Sequence, residues 1–152
     1  LMYNTDSVVV RIFNTYGAGE WYHPFRSVNC VFTYNLLHNK PITVFKGHRR
    51  TSTYVYDTVT TIANICENFI SGETYNIASN SLHTIEDLTD LILKHSGANK
   101  DLVTYAESEI LTTKDKLVNV DKAILDLNHK NSVGLDEGVK KTIDWMKKYY
   151  NL

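Results

Sequence analysis

The stretch VVVRIFNTYGAG, which runs from Val8 to Gly19, decides the fold class of this chain. Its first half, Val8–Phe13, is apolar on both faces, as is typical of a central parallel strand covered by helices. The run ends in Asn14 and a glycine-containing turn, and ligands of parallel α/β sheets bind just beyond such carboxyl ends of strands. We therefore expect an α/β protein whose binding site begins at Asn14.

The composition is that of an ordinary globular domain. Of the 152 residues 43% are hydrophobic and 22% are charged, which argues against intrinsic disorder. The formal net charge of −1 provides no overall field to attract nucleic acid or an anionic membrane. The sequence shows no signal-peptide pattern and no apolar run long enough to span a membrane. It therefore predicts a cytoplasmic protein with no membrane or nucleic-acid partner.

Hydrophobic periodicity predicts the element order β-α-β-β-α-β-α-β-α in a single unit spanning residues 1–152. Asp57 is expected to cap a helix at its N-terminus, and Thr84 and Asp87 are expected to form a capping box that opens another. Strands are expected at 8–13, 42–45, 53–56, 74–78, 102–105 and 116–120, and helices at 26–38, from 57 to before Gly72, at 85–95, 121–127 and 135–150.

The helix after Asp57 carries apolar residues at helical spacing, and these are expected to be buried: Val59, Ile62, Ala63, Cys66 and Phe69. Cys30 and Cys66 both fall on apolar helix faces and are expected to be buried, reduced thiols. No zinc-type spacing or C-x-x-C pattern accompanies them, so no metal site is expected.

Asn14 is the first candidate binding residue. A side-chain amide just past a strand end can donate to a phosphate or hydroxyl oxygen. The alternative is an Asx-turn that only terminates the strand.

Lys46-Gly47-His48-Arg49-Arg50 is the only dense basic cluster in the chain. Cationic groups around a glycine turn can hold a diphosphate, and an arginine can do so bidentately. A solvated turn and a small RNA-binding patch that also uses exposed tyrosines are the alternatives.

The loop Glu20–Arg26 is rich in aromatic residues. Aromatic faces stack on sugars or bases, and Arg26 near a helix start could hold an anion. The alternative is a surface loop that packs against the protein itself.

Five ordered segments resemble the extended short-chain dehydrogenase/reductase family, and within it the NAD-dependent NDP-sugar epimerases and 4,6-dehydratases. Residues 11–19 resemble the family pattern R-x-F-N-x-Y-G-x-G. Residues 50–57 resemble R-D-[FYW]-x-[YH]-V-x-D, with Thr51 in place of the aspartate. Residues 75–78 resemble Y-N-[IL]-G, residues 113–123 a late R-x-x-x-x-D-x-S-K-A segment, and residues 135–145 the closing L-x-E-G-[LV]-x-x-T-x-x-W helix.

The resemblance implies a role for five residues in binding a nucleotide sugar. Asn14 and Arg50 would contact the diphosphate, and Lys114 lies roughly where a family arginine touches the nucleotide. His23 and Arg26 lie in the loop that covers the hexose, so they are candidates for sugar specificity and not for catalysis.

The resemblance also implies what this chain lacks. The family oxidises the sugar with NAD and uses a Tyr-x-x-x-Lys pair, and the sequence contains neither this pair nor a glycine-rich NAD motif. We therefore expect the last parallel strands plus the small substrate-binding α/β region, without the NAD-binding N-terminal half and without catalytic or cofactor-binding residues.

The expected partners follow from the same resemblance. NAD is expected in the full-length parent but not on this chain alone. The parent is expected to be a homodimer, and this chain is expected to self-associate or to pair with the missing half through the open edge of Val8–Phe13. A non-catalytic module that binds a nucleotide sugar is the alternative to a portion of an enzyme.

Overall fold

Helices alternate with short strands in the computed structural model, which describes residues 5–108 and 111–152. The strands are β1 (Val9–Ile12), β2 (Thr15–Tyr16), β3 (Ile42–Phe45), β4 (Arg49–Thr51), β5 (Thr53–Tyr54), β6 (Thr74–Ile77), β7 (Leu82–Thr84), β8 (Val103–Ala106) and β9 (Asp115–Lys116). The helices are α1 (Val28–Leu37), α2 (Val55–Ile65), α3 (Ile85–Ser96), α4 (Asp121–Leu127) and α5 (Leu135–Tyr150), with a 3₁₀ turn at Lys100–Leu102. The predicted α/β class is confirmed.

The strand pairing is mainly parallel. β1 pairs with β6, β2 with β5 and β3 with β8, all in parallel. β4 is the exception, because it lies between antiparallel β7 and parallel β9. The first strand pairs with the predicted segment near residues 74–78, in the register Val9 to Thr74 and Ile12 to Ile77.

The main core lies where α1, α3 and α5 pack against one another and against β3. Its fully buried members include Leu36, Val44, Leu88, Ile92 and Ile143. A smaller cluster of Tyr75, Ala123 and Leu127 forms where α4 packs on β6. The main core holds β3 against α1 and α3.

The start of α3 confirms the predicted capping box. The Thr84 hydroxyl accepts a hydrogen bond from the Asp87 N–H at 2.9 Å, and the Asp87 carboxylate accepts one from the Thr84 N–H at 3.0 Å. Gly97 ends the same helix with a left-handed φ of 72°, a conformation that glycine adopts without a steric penalty.

The start of α2 corrects the prediction for Asp57. The helix begins at Val55, so the predicted strand 53–56 ends at Tyr54, and no side chain caps the helix. Asp57 is buried in the first turn, and its Oδ2 accepts a hydrogen bond from the backbone N–H of Val133 at 3.1 Å. A carboxylate is favourable both at the N-cap and in the first turn of a helix. The hydrogen bond with distant Val133 is what fixes Asp57 in the first turn.

The orientation of α2 corrects the prediction for its apolar face. Residues Thr58 and Thr61 are buried, and they bond to Thr15 and His129 at 2.9 and 2.7 Å. Val59 and Ile62, in contrast, are exposed. Ala63 is exposed with them. The helix ends at Ile65 and not just before Gly72 as predicted, so Cys66 and Phe69 lie beyond it; both are exposed, and the prediction that Cys66 is buried is wrong. Helical spacing identifies which residues share a face, but it does not say what lies against that face.

β1 has an open edge, as predicted. Among the described residues β6 is its only partner, and the side chains of Val9 and Ile12 are 54% and 51% exposed. The exposed apolar side chains of β1, of α2 and of the segment that follows α2 are grouped here under the name β1–α2 face: Val9, Ile12, Val59, Ile62 and Phe69. Exposed apolar side chains beside an unpaired strand edge are typical of an interface.

Candidate functional site

A cavity of about 500 Å³ opens between the start of α1, strands β3 and β4 and Asn14, which lies between β1 and β2. This volume is within the usual range of small-molecule sites. Its wall combines four apolar side chains with nine polar ones and brings together three of the five predicted site residues, Asn14, Arg26 and Arg50. The other lining residues are Ser27, Val28, Asn29, Phe32, Thr43, Phe45, His48, Ser52, Ile85 and Thr112.

Arg50 is held in place by backbone carbonyl groups. Its Nη1 donates to the carbonyl oxygens of Arg49 and Lys114, both at 2.7 Å. Its Nη2 lies 3.2 Å from Nδ1 of His48. Burial lowers the pKa of the guanidinium, and Asp115 acts in the opposite direction. Among the described residues the Nε–H and one Nη2–H have no partner, so the side chain is fixed and still has donors for a ligand.

The contact with Arg50 sets the tautomer of His48. A guanidinium can only donate, so Nδ1 of His48 accepts, and the proton of the neutral ring is on Nε2. His48 is only 6% exposed, and its Nε2 has no partner among the described residues. The cavity wall therefore presents a second buried N–H donor.

Arg49 is oriented differently from its neighbour. It forms a bidentate pair with Asp115, with distances of 2.8 Å from Nε to Oδ1 and 2.5 Å from Nη2 to Oδ2. This pair raises the pKa of Arg49 and lowers that of Asp115. Because successive residues of a strand point to opposite sides, only Arg50 of this pair lines the cavity.

Asn14 lies at the break between β1 and β2, in the left-handed conformation with φ of 45°. Its carbonyl oxygen accepts a hydrogen bond from the N–H of Thr53 at 3.2 Å. Asparagine tolerates this conformation better than most residues. Asn14 therefore both forms the turn after β1 and lines the cavity.

Arg26 and His23 belong to a loop that is tied to α1. Glu20 accepts hydrogen bonds from the N–H and the hydroxyl of Ser27, the residue that caps α1, at 3.0 and 2.8 Å. Arg26 lines both the cavity and a shallower groove of about 430 Å³, whereas His23 lines only the groove. Trp21, Tyr22 and Phe25 complete the groove. The structure thus separates the two predicted specificity residues.

Lys114 contributes to the site through its backbone. Its carbonyl oxygen accepts from the N–H of Arg49 and from Nη1 of Arg50, but its side chain does not line the cavity. The predicted position is therefore near the site, while the lysine side chain is exposed to solvent.

Sequence reasoning missed Asn29, Ser52 and the two phenylalanines Phe32 and Phe45, all of which line the cavity. A signal for Asn29 was available, since it is a polar residue between Val28 and Phe32 in an apolar helix. No pattern in the sequence indicated that Ser52 would lie next to this helix, where it accepts a hydrogen bond from Asn29.

Other site classes find no support in the described part of the chain. In residues 5–108 and 111–152, no three His, Cys, Asp or Glu side chains are grouped so that they could hold a metal ion. None of the helices in these ranges is long and apolar enough to cross a membrane.

Relatives of this chain are nucleotide-sugar enzymes. The dTDP-glucose 4,6-dehydratase of Escherichia coli is 25% identical over 152 residues, covering 94% of this chain and 41% of that protein. The UDP-glucose 4-epimerase of Thermotoga maritima, solved with UDP-glucose, is 25% identical with a TM-score of 0.86, over 97% of this chain and 48% of that one.

A third protein, the UDP-glucuronic acid 4-epimerase of Bacillus cereus in complex with UDP-glucuronic acid and NAD, is 26% identical with a TM-score of 0.81. The match covers 94% of this chain and 46% of that one. The chain spans less than half the length of each of these three proteins. The model of the NAD dependent epimerase/dehydratase family matches residues 2–78, which include β1, β4 and Arg50. The chain therefore belongs to the NAD dependent epimerase/dehydratase family.

Proposed function

We propose that this chain supplies the nucleotide-sugar side of an NAD-dependent epimerase or 4,6-dehydratase. The observation that carries the proposal is the convergence of Asn14, Arg26 and Arg50 on one cavity that also has aromatic walls. Residues far apart in the sequence meet there, and their side chains match the two parts of a nucleotide sugar, its diphosphate and its less polar rings.

The cationic part of the wall suits the diphosphate. Arg50 is fixed by two carbonyl groups and His48, so little conformational entropy is lost when its remaining N–H groups bind an anion. Hydrogen bonds between a guanidinium and phosphate oxygens are charge-assisted and therefore strong. Arg26 and the amide of Asn14 add donors on the same cavity.

The apolar part of the wall suits a ring. Phe32, Phe45, Val28 and Ile85 line the cavity together with these donors. Apolar side chains combined with well-placed polar groups are typical of a cofactor or substrate site. An inorganic anion alone would not use these side chains.

The residues present do not fit NAD. A dinucleotide needs a glycine-rich turn at a helix start, whose N–H groups bind the pyrophosphate. Gly17 serves another purpose, because a Cβ there would lie 2.7 Å from Cγ1 of Val55 and 2.9 Å from Cε2 of Tyr54. The glycine permits the backbone to approach α2 and has no space for a phosphate beside it.

The NAD-binding part of the parent enzyme is therefore proposed to lie outside these 152 residues and to cover the β1–α2 face. That part would complete the sheet at the open edge of β1 and bury Val59 and Ile62 of α2. The residues of this chain would bind and orient the substrate, and NAD held by that other part would supply the redox chemistry.

Calorimetric titration of the chain with UDP-glucose tests the proposal, with Arg50→Ala and Arg49→Ala as a matched pair. Loss of a charge-assisted contact of about 1.5–3 kcal/mol should weaken binding by roughly 10- to 150-fold in Arg50→Ala. Arg49→Ala should change the affinity by less than about threefold, because its charge is exposed and screened by salt. Arg50→Lys should also bind weakly, since an ammonium lacks the fork.

Three results would contradict the proposal. One is absence of UDP-glucose binding by the wild-type chain, and another is equal losses in the two arginine variants. Micromolar binding of NAD by the chain alone would contradict the proposed division of the parent enzyme. Circular dichroism of each variant would verify that it is folded.

A further inference from the structure

Asn29 lines the cavity and has an unpaired, buried side-chain oxygen. It is the second residue of α1, its side chain is only 3% exposed, and it lines the cavity beside Val28 and Phe32. Its Oδ1 has no hydrogen-bond partner among the described residues. Leaving such a buried acceptor unpaired costs about 1–3 kcal/mol, so a ligand group that donates to it would gain binding energy.

A relay of hydrogen bonds orients the Asn29 amide. Nδ1 of His83 lies 3.0 Å from the carbonyl oxygen of Thr84, which can only accept, so Nδ1 carries the proton of the neutral ring. Nε2 of His83 is then an acceptor, and the Ser52 hydroxyl donates a hydrogen bond to it at 2.8 Å. The Ser52 oxygen in turn accepts a hydrogen bond from Nδ2 of Asn29 at 3.3 Å. Oδ1 is thus the atom of the amide that is left for a ligand in the cavity that Asn29 and Ser52 both line.

We propose that Asn29 is a specificity-determining residue whose Oδ1, oriented by Ser52 and His83, accepts a hydrogen bond from an N–H or O–H group of the ligand. This inference rests on the proposed function, since the ligand meant is the nucleotide sugar. A phosphate oxygen has no proton to donate, and the partial negative charge of Oδ1 of Asn29 repels a phosphate oxygen. The diphosphate is therefore restricted to the arginine side of the cavity, and a hydroxyl or base N–H lies at Asn29.

The relay can be reversed by one proton. When His83 is protonated, both its ring nitrogens donate, and Ser52 must accept from Nε2. The Ser52 hydroxyl proton then turns to Asn29, whose amide pairs best by rotating Oδ1 toward Ser52 and Nδ2 toward the cavity. Asn29 would then present a donor in place of an acceptor, so Ser52 and His83 act as positioning residues.

The charged surroundings of His83 place this reversal in the acidic range. Arg50 is its direct partner across β4 and β7, and Asp87 lies at the start of α3. Burial lowers the pKa of His83, with Arg50 lowering it further, while the Thr84 carbonyl and Asp87 act in the opposite direction. The neutral relay should therefore dominate at pH 7 and reverse below the ordinary histidine pKa of about 6.5.

The test is the binding penalty of Asn29→Leu, that is, the factor by which this substitution weakens the affinity of the chain for UDP-glucose. It is measured by titration at about pH 8 and about pH 5, on both sides of the ordinary histidine pKa. At pH 8 the penalty should be roughly three- to tenfold, as for one buried hydrogen bond. The penalty should decrease as the pH falls toward 5 and His83 becomes protonated. In a His83→Gln background, which keeps an acceptor for Ser52 but does not titrate, it should be the same at both pH values.

Wild type and Asn29→Leu are compared at the same pH. Effects of pH on the ligand or on other histidines act on both proteins and cancel in the ratio of their affinities. Asn35→Leu, in the same helix but away from the cavity, is the matched control and should show no penalty. Repeating the titrations with UDP locates the donor group: a penalty that persists assigns it to the nucleoside, and one that vanishes assigns it to the hexose.

The outcomes separate the inference from the proposed function. Equal affinities of wild type and Asn29→Leu at pH 8, with a large loss in Arg50→Ala, would overturn the role of Asn29 and leave the proposed function intact. An Asn29 penalty that does not change with pH in either background would overturn the relay. No binding of UDP-glucose by the wild type would overturn the proposed function and the inference together.

Discussion

Gly138 in the first turn of α5 packs directly against the phenol ring of Tyr16. A Cβ on this glycine would collide with the Tyr16 oxygen and would lie 3.0 Å from its Cζ and 3.1 Å from Cδ2 of Tyr54. The absence of a side chain at position 138 therefore allows the C-terminal helix to approach β2 and β5. This contact links the two ends of the chain and supports the strand that follows Asn14.

Gly138→Ala is expected to destabilise the chain although alanine favours a helix by about 1 kcal/mol over glycine. Overpacking against two rings should lower the free energy of unfolding by about 1–3 kcal/mol, measured by urea denaturation. The double variant Tyr16→Phe, Gly138→Ala should recover part of this loss. Gly134→Ala, where nothing lies within 4 Å of the new methyl group, is the control, and a loss equal to that of Gly138→Ala would refute the packing argument.

Thr84→Ala should lower the free energy of unfolding by about 1 kcal/mol, because it removes the hydroxyl that caps α3. Urea denaturation at pH 7 gives the value. Thr113→Ala, at an exposed threonine outside any helix or strand, is the control for the loss of a threonine hydroxyl. Equal losses would show that the capping box adds nothing.

Asp87 makes the contribution of this cap depend on pH. Its hydrogen bonds to Thr84 lower the pKa of the Asp87 carboxyl in the folded state. Its stabilising effect should therefore be present above the unfolded pKa of about 3.9 and be lost as the pH falls through the lower folded pKa. The difference in stability between wild type and Asp87→Asn should shrink between pH 7 and that range, whereas Asp90→Asn should show no such trend.

The two cysteines should react differently with a thiol reagent. Cys30 is fully buried, and burial raises the pKa of its thiol to about 12, so almost no thiolate forms at pH 8. Cys66 is exposed. We expect one reactive thiol per native chain and two after unfolding, counted with a chromogenic disulfide. Cys66→Ser should abolish the native reaction, and persistence of that reaction would contradict the burial of Cys30.

The β1–α2 face should make the isolated chain self-associate. Val59 and Ile62 of α2 are exposed and β1 has an unpaired edge among the described residues, and both features favour association. Light scattering should give a mass that rises with concentration, and Val59→Glu should reduce it. Leu125→Glu, at an exposed leucine of α4, should have no such effect. A monomer at all concentrations would contradict this prediction.

The local parts of the fold could be predicted from the sequence. The strand 8–13 is observed as Val9–Ile12, and the helix of the closing motif as Leu135–Tyr150. The capping box at Thr84 and the glycine stop at Gly97 were predicted because caps depend on residues within one helical turn. The place of Asn14 beyond a parallel strand followed from the same local reasoning.

The candidate site could be predicted only in part. Asn14, Arg26 and Arg50 were predicted and line the cavity, whereas the side chains of His23 and Lys114 do not. Nothing in the basic cluster distinguished Arg50 from Arg49, because their difference depends on Asp115, which is distant in the sequence.

The sequence by itself determined the α/β class, the positions of the main helices and strands and the family pattern, because periodicity, caps and turns act over a few neighbouring residues. Only the tertiary structure decided which side of α2 is buried, what holds Arg50 and Arg49 in place and that Asn29, Ser52 and His83 form one relay. Burial and hydrogen bonding depend on what lies opposite each side chain, and in this chain the opposite groups come from distant segments. The same physical reason explains why Cys66, which was predicted to lie on a buried helix face, is exposed.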